Sequence, residues 1–484
     1  MMGNEETVQA LRAAFITTER PYREGAVEVF EQAIEAGPAP VAEAELAITA
    51  LGMYEAELDG RKLGEAFLTP GFTYYPYDLH YQVYDVTDAL AVGATLRVYL
   101  GQGWYCGRFT CENETQIWGE RPAVSWVLRI RYEDGTERCL TARDADVVAV
   151  PSPYDYAGLY DGEVYWARGA AGERPDAPAV FPPVPFEGAL PETIEPSTTS
   201  VTLHETLEPQ QVTERADGTT IVDFGQNMAG IVEIDPALIE GAALTVRHGE
   251  LLNPDGSLYT ANLRTARATI VYHKGEERGT WRPRFTYMGF RYVELSGTPW
   301  RPGLVRARAL YTDMARTGTF SCGDERVNRL YENQLWTQRS NYVEVPTDCP
   351  QRDERQGYTG DGHAFARTAA YNYDTEAFLE KFLKDVRMSQ RDNSEGYVAA
   401  SVPATGPAGV GFVGMQEWAS ADTIMPELIY DQFGDRTAFE AQYDSMRAMV
   451  DCKLKHAGDA GLWFGVNLGD WLAPGPDIAW AAQH

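Results

Sequence analysis

The hydrophobic pattern splits the chain into a long stretch of period two and a shorter, later stretch of period 3.6. A weak helical pattern over 7–36 breaks at Gly37-Pro38-Ala39-Pro40, and alternation begins at Glu43. Leu46, Ile48 and Ala50 form one series and Tyr54, Ala56 and Leu58 a second, closed by Asp59-Gly60, a dipeptide that favours a type I′ hairpin turn. Further β-like runs follow at 81–86, 95–101, 125–132 (with Asp134-Gly135 after it) and 145–150. Strands this short and this regularly punctuated predict a sandwich or jelly roll. The proline-rich stretch 174–192 has no period and reads as a linker. A second β-rich block occupies about 197–315, with turn signals at Asp217-Gly218 and Asp255-Gly256.

After Gly318 the period changes. Val327, Leu330, Tyr331 and Leu335 fall on one face of a helix over 324–342, and Phe378, Leu379, Phe382, Leu383 and Val386 on one face of another over 375–390. Residues 416–434 and 436–455 supply two more helices. The loops between them, 343–360 and 391–414, are long enough to expect a function. The expected domains are 1–175 (β-sandwich), a linker at 176–196, 197–315 (second β-sandwich) and 316–484 (helical). Helices in antiparallel pairs with loops gathered at one end are what an α/α barrel needs.

Composition narrows the partners. With 71 acidic against 41 basic residues the formal charge is −30, which repels nucleic acid and anionic membranes at long range. The 27 Tyr and 11 Trp matter more, because aromatic faces stack on the C–H faces of sugar rings, although most aromatics fill cores. Six cysteines without a CxxC pair argue against a disulfide framework or zinc ribbon. The acidic first residues lack the basic and apolar regions of a secretory signal, and no run is apolar enough to cross a membrane, so a cytoplasmic setting is expected.

The densest polar cluster is PTDCPQRDERQGYTGDGH, 346–363, which holds Asp348, Asp353, Glu354 and Asp361 with Arg352 and Arg355 among them. Its prolines and glycines oppose a regular helix through most of it. Such a loop either pairs its charges, turns them to water or binds a ligand; Trp336, Tyr358 and Phe365 flank it, which fits a half-apolar pocket. Glycoside hydrolysis needs a carboxylic acid for the leaving oxygen and a second carboxylate for water or the anomeric carbon. Neighbouring Asp348, Asp353 and Asp361 would help keep such an acid protonated, and the arginines would oppose them. Other chemistries are weaker. GQGWYCG (101–107) has the wrong glycine spacing for a dinucleotide loop, there is no GxxxxGK[ST] or GxSxG, and the seven histidines lie far apart without HExxH, so no cofactor or metal is expected. Cys349 reads as a small buried thiol and His363 as a structural histidine.

These residues resemble the bacterial α-L-rhamnosidase family. The likeness runs from about Leu46 to Pro474 in ordered blocks: LGMYEAELDGRKLGEAFLTPGFTYY, YDVTDAL, GQGWYCGRF, VDFGQNMAGIVEI, RHGELLNPDGSLYTANLRTA, FTYMGFRYVELSG, VPTDCPQRDERQGYTGD and GDWLAPG. The resemblance implies a jelly-roll-like N-terminal β-sandwich, a second β-sandwich and part of an (α/α)6 barrel, releasing terminal α-L-rhamnose with inversion and without cofactor. It makes Glu354 similar to the family's general acid, and Asp348, Arg352 and Asp361 similar to residues that hold sugar hydroxyls. Tyr358, Trp418, Asp470 and Trp471 look like further pocket residues.

Four departures from the family pattern stand out. Tyr358 takes the place of a usual Trp, Gly362-His363 of a usual Ala-Gln, and Ser420 of a usual Asp. The resemblance also places the general-base Glu and the rest of the barrel beyond His484, so the chain alone is expected to need a complementary C-terminal half for turnover, unless Asp422 or Asp470 serves as base. The expected partners are a rhamnose-containing glycoside or oligosaccharide, and either that complementary half or a second copy of the chain. The alternatives are a non-catalytic carbohydrate-binding or scaffold fragment, and another sugar-active α/α-barrel enzyme.

Overall fold

Period-two segments pair as the alternation demands. In the computed structural model, which describes residues 4–90, 93–170, 174, 179–405, 415 and 418–463, strand Val41–Leu51 lies between Ala123–Tyr132 and Asp78–Asp85, all antiparallel. They belong to a seven-stranded sheet among the described residues, and a five-stranded sheet holds Glu28–Ile34, Ala94–Gly101 and Met53–Leu58. Ile48, Trp126 and Leu128 from the first sheet and Phe30, Tyr54, Val98 and Leu100 from the second share one buried core, the arrangement of a sandwich. The Trp126 indole, fully buried, donates to Gln32 Oε1 at 2.8 Å, so its one polar atom is satisfied.

The second block builds a nine-stranded sheet around the long strand Thr220–Ile234, whose register shifts between Asp223 and Met228. Leu244, Val246, Ile270, Tyr272 and Val293 alternate inward. Strands Tyr154–Gly158 and Gly162–Trp166, expected in the first domain, hydrogen-bond into this sheet, the second of them parallel to Thr269–His273. Tyr165 explains the pull: its ring packs 5.7 Å from Tyr272 and 5.2 Å from Trp281. The stretch expected as a linker supplies two short edge strands, Pro183–Pro185 and Thr193–Pro196. Edges are where a sheet tolerates proline, which has no N–H to give the ladder. The weak pattern at 7–36 resolves into helix α1 (Asn4–Ala14) and strands Ile16–Thr18 and Glu28–Ile34. A single-turn helix α2 (Gly103–Cys106) sits inside the GQGWYCG stretch. These β blocks, with Pro350–Asp353, form one compact unit.

A second unit comprises Phe72–Tyr74, Thr312–Cys349 and Glu354–His484. Among the described residues its helices are α3 (Glu325–Asn341), α4 (Thr359–Asn372), α5 (Glu376–Arg391), α6 (Ala421–Phe433) and α7 (Arg436–Ala457). Asp324 caps α3 through Arg326 N at 2.9 Å, and Asp435 caps α7 through Thr437 N at 2.8 Å. Gly434, in the left-handed region at φ 77°, ends α6 and lets α7 begin at once. The five apolar residues expected along one face of α5 are all buried. On α3 the expected face is only partly covered: Leu335 is buried, whereas Val327 and Leu330 are exposed among the described residues.

Helix α5 carries a buried cation. Lys381 on α5 donates to the carbonyls of Phe72 and Glu344, and its Nζ lies 3.6 Å from Glu344 Oε2 and 3.5 Å from Asp385 Oδ2. The same two carboxylates accept from Phe72 N (3.0 Å) and Tyr74 N (2.9 Å). Lys381→Ala removes the shared cation from two buried acids and is expected to cost about 3–5 kcal/mol, read as a lower urea midpoint of the helical unit.

Candidate active site

The acidic loop hangs between two fixed supports in the helical unit. Tyr342–Val343 and Val345–Pro346 form a small hairpin that delivers the chain to Asp348. Downstream, Gly357 lies so close to the carbonyl of Val402 that a Cβ would come within 2.3 Å of it. Val402 N donates back to Gly357 O at 2.8 Å, and Thr359 donates to Ala400 O through its backbone N (2.9 Å) and its hydroxyl (3.1 Å). Between the supports Gln356 N donates to Asp348 Oδ1 at 3.1 Å, while Gln356 Oε1 accepts from Thr405 Oγ1 at 2.8 Å. Sequence reading passed over Gln356, because its role depends on Thr405, which is far away in the chain.

Helix α4 starts inside the glycine-rich stretch, at Thr359, where the sequence pointed to irregular chain. The glycines are there for packing. A Cβ on Gly360 would sit 2.5 Å from the Trp418 ring, and one on Gly362 would sit 3.1 Å from Met425 and 3.3 Å from Pro346. Trp418, in a single 3-10 turn before α6, stands edge-on to Tyr358 with ring centroids 5.6 Å apart.

The loop's carboxylates separate by environment. Glu354 is half-buried, and its Oε1 accepts from the Tyr358 hydroxyl at 2.8 Å. Asp348, Cys349 and Glu354 each bring one oxygen or sulfur within 4.8 Å of the others, so Cys349, 5% exposed, is a buried third member of this group. Asp361, on the first turn of α4, is exposed. Asp353 belongs to the β unit and is spoken for there: it accepts from Arg264 Nε at 2.6 Å, Thr265 N at 3.1 Å and the Thr265 hydroxyl. The expectation that its negative charge supports a neighbouring acid is therefore corrected, because Arg264 balances it. Arg352 is half-buried in the same short stretch. Arg355 is fully buried on a backbone at φ 54°, His363 and Phe365 are half-buried on α4, and Trp336 lies on α3 beneath the Arg339 guanidinium. Asp470 and Trp471 lie outside the described residues.

Asp422, on the first turn of α6, is fully buried and neither carboxyl oxygen meets a donor from another described residue. Burial pushes its carboxyl up to about 7, with the Lys453 charge pulling the other way.

The family models place these features in order. Residues 39–174 match the alpha-L-rhamnosidase N-terminal domain, 213–311 the bacterial alpha-L-rhamnosidase concanavalin-like domain, and 315–483 the bacterial alpha-L-rhamnosidase 6 hairpin glycosidase domain. β-sandwich-like sheets followed by helices of the six-hairpin type define a class, that of the multidomain helical glycosidases. Within that class the chain belongs to the bacterial α-L-rhamnosidase family. A curated α-L-rhamnosidase of Streptomyces avermitilis is 39% identical over 441 residues, covering 89% of this chain and 42% of that protein; one of Formosa agariphila is 33% identical, covering 90% and 48%. Among solved structures, the Streptomyces avermitilis α-L-rhamnosidase complexed with L-rhamnose superposes with a TM-score of 0.85 at 37% identity, covering 92% of this chain and 44% of that one. The Aspergillus terreus enzyme gives 0.87 at 33%, covering 96% and 56%. The chain thus spans about half the length of the relatives it matches. No helix among the described residues is long and apolar enough to cross a membrane.

Asp422 carries a pH signature. Its folded pKa is raised, so the fold binds the proton more tightly than the unfolded chain; its contribution to stability is best below about pH 4 and declines as pH rises towards 7. Asp422→Asn is expected to stabilise the helical unit by up to ~4 kcal/mol at about pH 8 and to change it little at about pH 4, measured as urea midpoints at the two pH values.

Proposed function

We propose that this chain works as an α-L-rhamnosidase, with Glu354 as the general acid that frees a terminal α-L-rhamnose with inversion. The observation that carries the reading is the half-buried Glu354 carboxyl, bonded to Tyr358 at 2.8 Å and grouped with Asp348, on the loop that family resemblance marks as catalytic. Glu354 gives its proton to the glycosidic oxygen as the C1–O bond breaks, and the aglycone leaves as an alcohol. A water adds to C1 from the opposite face and passes a proton to a second carboxylate, so the sugar leaves with its anomeric configuration inverted. Asp348 and Asp361 take the roles of hydroxyl ligands, and Tyr358 and Trp418 those of apolar wall. The motif resemblance adds Arg352, Asp470 and Trp471. The Streptomyces avermitilis relative was solved with L-rhamnose, which supports rhamnose as the sugar. The second carboxylate is expected from a complementary C-terminal half, in cis or in trans.

The test compares two aryl α-L-rhamnosides on the chain supplied with the C-terminal half of a relative. Glu354→Gln is expected to lower kcat by roughly 10²–10⁴-fold on a substrate with a poor leaving group. On a dinitrophenyl rhamnoside, whose leaving group needs no proton, the loss should be much smaller. Equal retention of activity on both substrates rules out Glu354 as the acid. Robust turnover by the 484-residue chain alone moves the base to Asp422 or Asp470. Rhamnose binding that survives Glu354→Gln, with no turnover in either protein, favours a carbohydrate-binding scaffold instead.

A further inference from the structure

Away from the acidic loop, three side chains of metal-binding type converge where α7 ends. Cys452 and His456 are four residues apart, so they share one helix face, and Glu395 reaches them from the loop after α5. One ligand atom from each lies within 4.8 Å of the other two. His456 Nε2 is 2.8 Å from Glu395 Oε2. Cys452 is 2% exposed, whereas the His456 and Glu395 side chains are 36% and 33% exposed, giving a floor of buried sulfur and a rim open to solvent.

The loop that carries Glu395 is already held. Gln390 Nε2 donates to Gly396 O (2.7 Å) and Ser445 O (3.1 Å), and Asn393 and Tyr397 exchange two hydrogen bonds. Val398 N meets the Met449 sulfur at 3.3 Å, and Gly396, at φ 74°, leaves 3.1 Å between a would-be Cβ and that of Ala448. The carboxylate therefore needs little ordering to serve as a ligand. The helix end helps as well, since its terminal carbonyls carry partial negative charge that favours a cation. Trp463 packs edge-on to the His456 ring at 5.7 Å.

We propose that Glu395, Cys452 and His456 form a site for a divalent transition-metal ion of the zinc type. Thiolate, imidazole and carboxylate are the donors that zinc prefers, at about 2.0–2.3 Å, and three of them leave a fourth tetrahedral position for water. On binding, the Cys452 thiol releases its proton to solvent, so thiolate and carboxylate together balance the charge of the ion. Lys455, whose Nζ is 2.9 Å from Glu395 Oε2 and whose side chain is 67% exposed, gives up its ion pair and turns to water. The consequence reaches the acidic loop. The segment that starts at Glu395 continues to Ala399, Ala400 and Val402, the acceptors and donor that hold Thr359 and Gly357. A metal here would clamp one end of the strap whose other end braces that loop.

The experiment titrates Co²⁺ into the reduced, tag-free 484-residue chain. One equivalent should produce a near-ultraviolet thiolate-to-cobalt charge-transfer band with visible d–d bands of a four-coordinate ion, and Zn²⁺ should bleach both. His456→Gln and Glu395→Gln, at solvent-facing positions, should each weaken binding at least ~10-fold with unchanged circular dichroism. Cys452→Ser should abolish the thiolate band, while joint replacement of the more exposed Cys111, Cys139 and Cys322 by Ser should leave it. Zn²⁺ should raise Tm in the parent and not in His456→Gln. The proposal falls if the parent shows no thiolate band, if the band persists in Cys452→Ser, or if affinity is unchanged in His456→Gln.

Discussion

The helical unit is tied together by the buried ammonium group of Lys381. Lys381 sits where three pieces of chain meet: its own helix α5, the hairpin residue Glu344, and the short segment Phe72–Tyr74 from the first part of the sequence. An ammonium buried without partners is costly, so the two carboxylates and two carbonyls around it are a requirement of the fold. They in turn recruit backbone N–H groups of Phe72 and Tyr74, which fixes the segment as firmly as the lysine. Glu344 adopts φ 66° to reach this position, a backbone strain that the surrounding bonds hold in place. Because Glu344 is the turn of the hairpin that leads into the acidic loop, the placement of Asp348 and Glu354 follows from it.

The loop shows how one cluster of charges can serve different purposes. Composition alone leaves four carboxylates and two guanidiniums as a single cluster. Local surroundings sort them: Asp353 is locked by Arg264 and Thr265, Asp361 is exposed on the first turn of α4, and Asp348 stands beside Glu354 with its carboxylate steadied by a backbone N–H. The same contrast separates other buried acids. Glu163 accepts two backbone N–H bonds, from Arg284 and Phe285, at 2.8 and 2.7 Å, yet burial still carries it to about 7. Asp422 reaches a similar value with no donor from another described residue. The two acids differ in degree: Glu163 has one oxygen bonded twice and Oε2 without a partner among the described residues, whereas Asp422 has both oxygens open, and each open oxygen is a reserve of chemistry or instability.

Much of this is legible in the amino-acid sequence. Period two at 46–58 and 125–132 and period 3.6 over 375–390 became strands and a helix with the expected residues inside, although 46–51 and 53–58 are buried on both faces, so that the small and polar alternates such as Ala47 and Thr49 are inside as well. What was not legible depends on distant contacts. The start of α4 lies in a run of glycines that reads as loop, because glycine's low helix propensity is visible in sequence and the Trp418 and Met425 side chains that exclude a Cβ are not. Proline at 183 and 185 reads as linker until a sheet edge is available for it. Arg264, which neutralises Asp353, lies in another domain's sequence, and Glu395 lies far from the Cys452–His456 pair, so neither partnership has a local signature. The loop itself was found because its charge density is local, and its division of labour was missed because its bonding is not.

The departure at position 358 gains a physical meaning from this geometry. An indole offers a larger stacking face than a phenol, so Tyr358 gives up apolar contact relative to the usual Trp. In return its hydroxyl meets Glu354 Oε1 at 2.8 Å while its ring stays edge-on to Trp418. A phenolic oxygen both donates and accepts, whereas an indole N–H only donates. Under the proposed cycle Glu354 alternates between carboxylic acid and carboxylate, and a hydroxyl can hydrogen-bond to either form by rotating its own proton. An indole N–H in the same place could only donate, to the carboxylate or to the acid's carbonyl oxygen, and could not accept the acid's O–H. On the proposed function, Tyr358 would thus exchange stacking face for a hydroxyl that can donate to the Glu354 carboxylate and accept from its acid form.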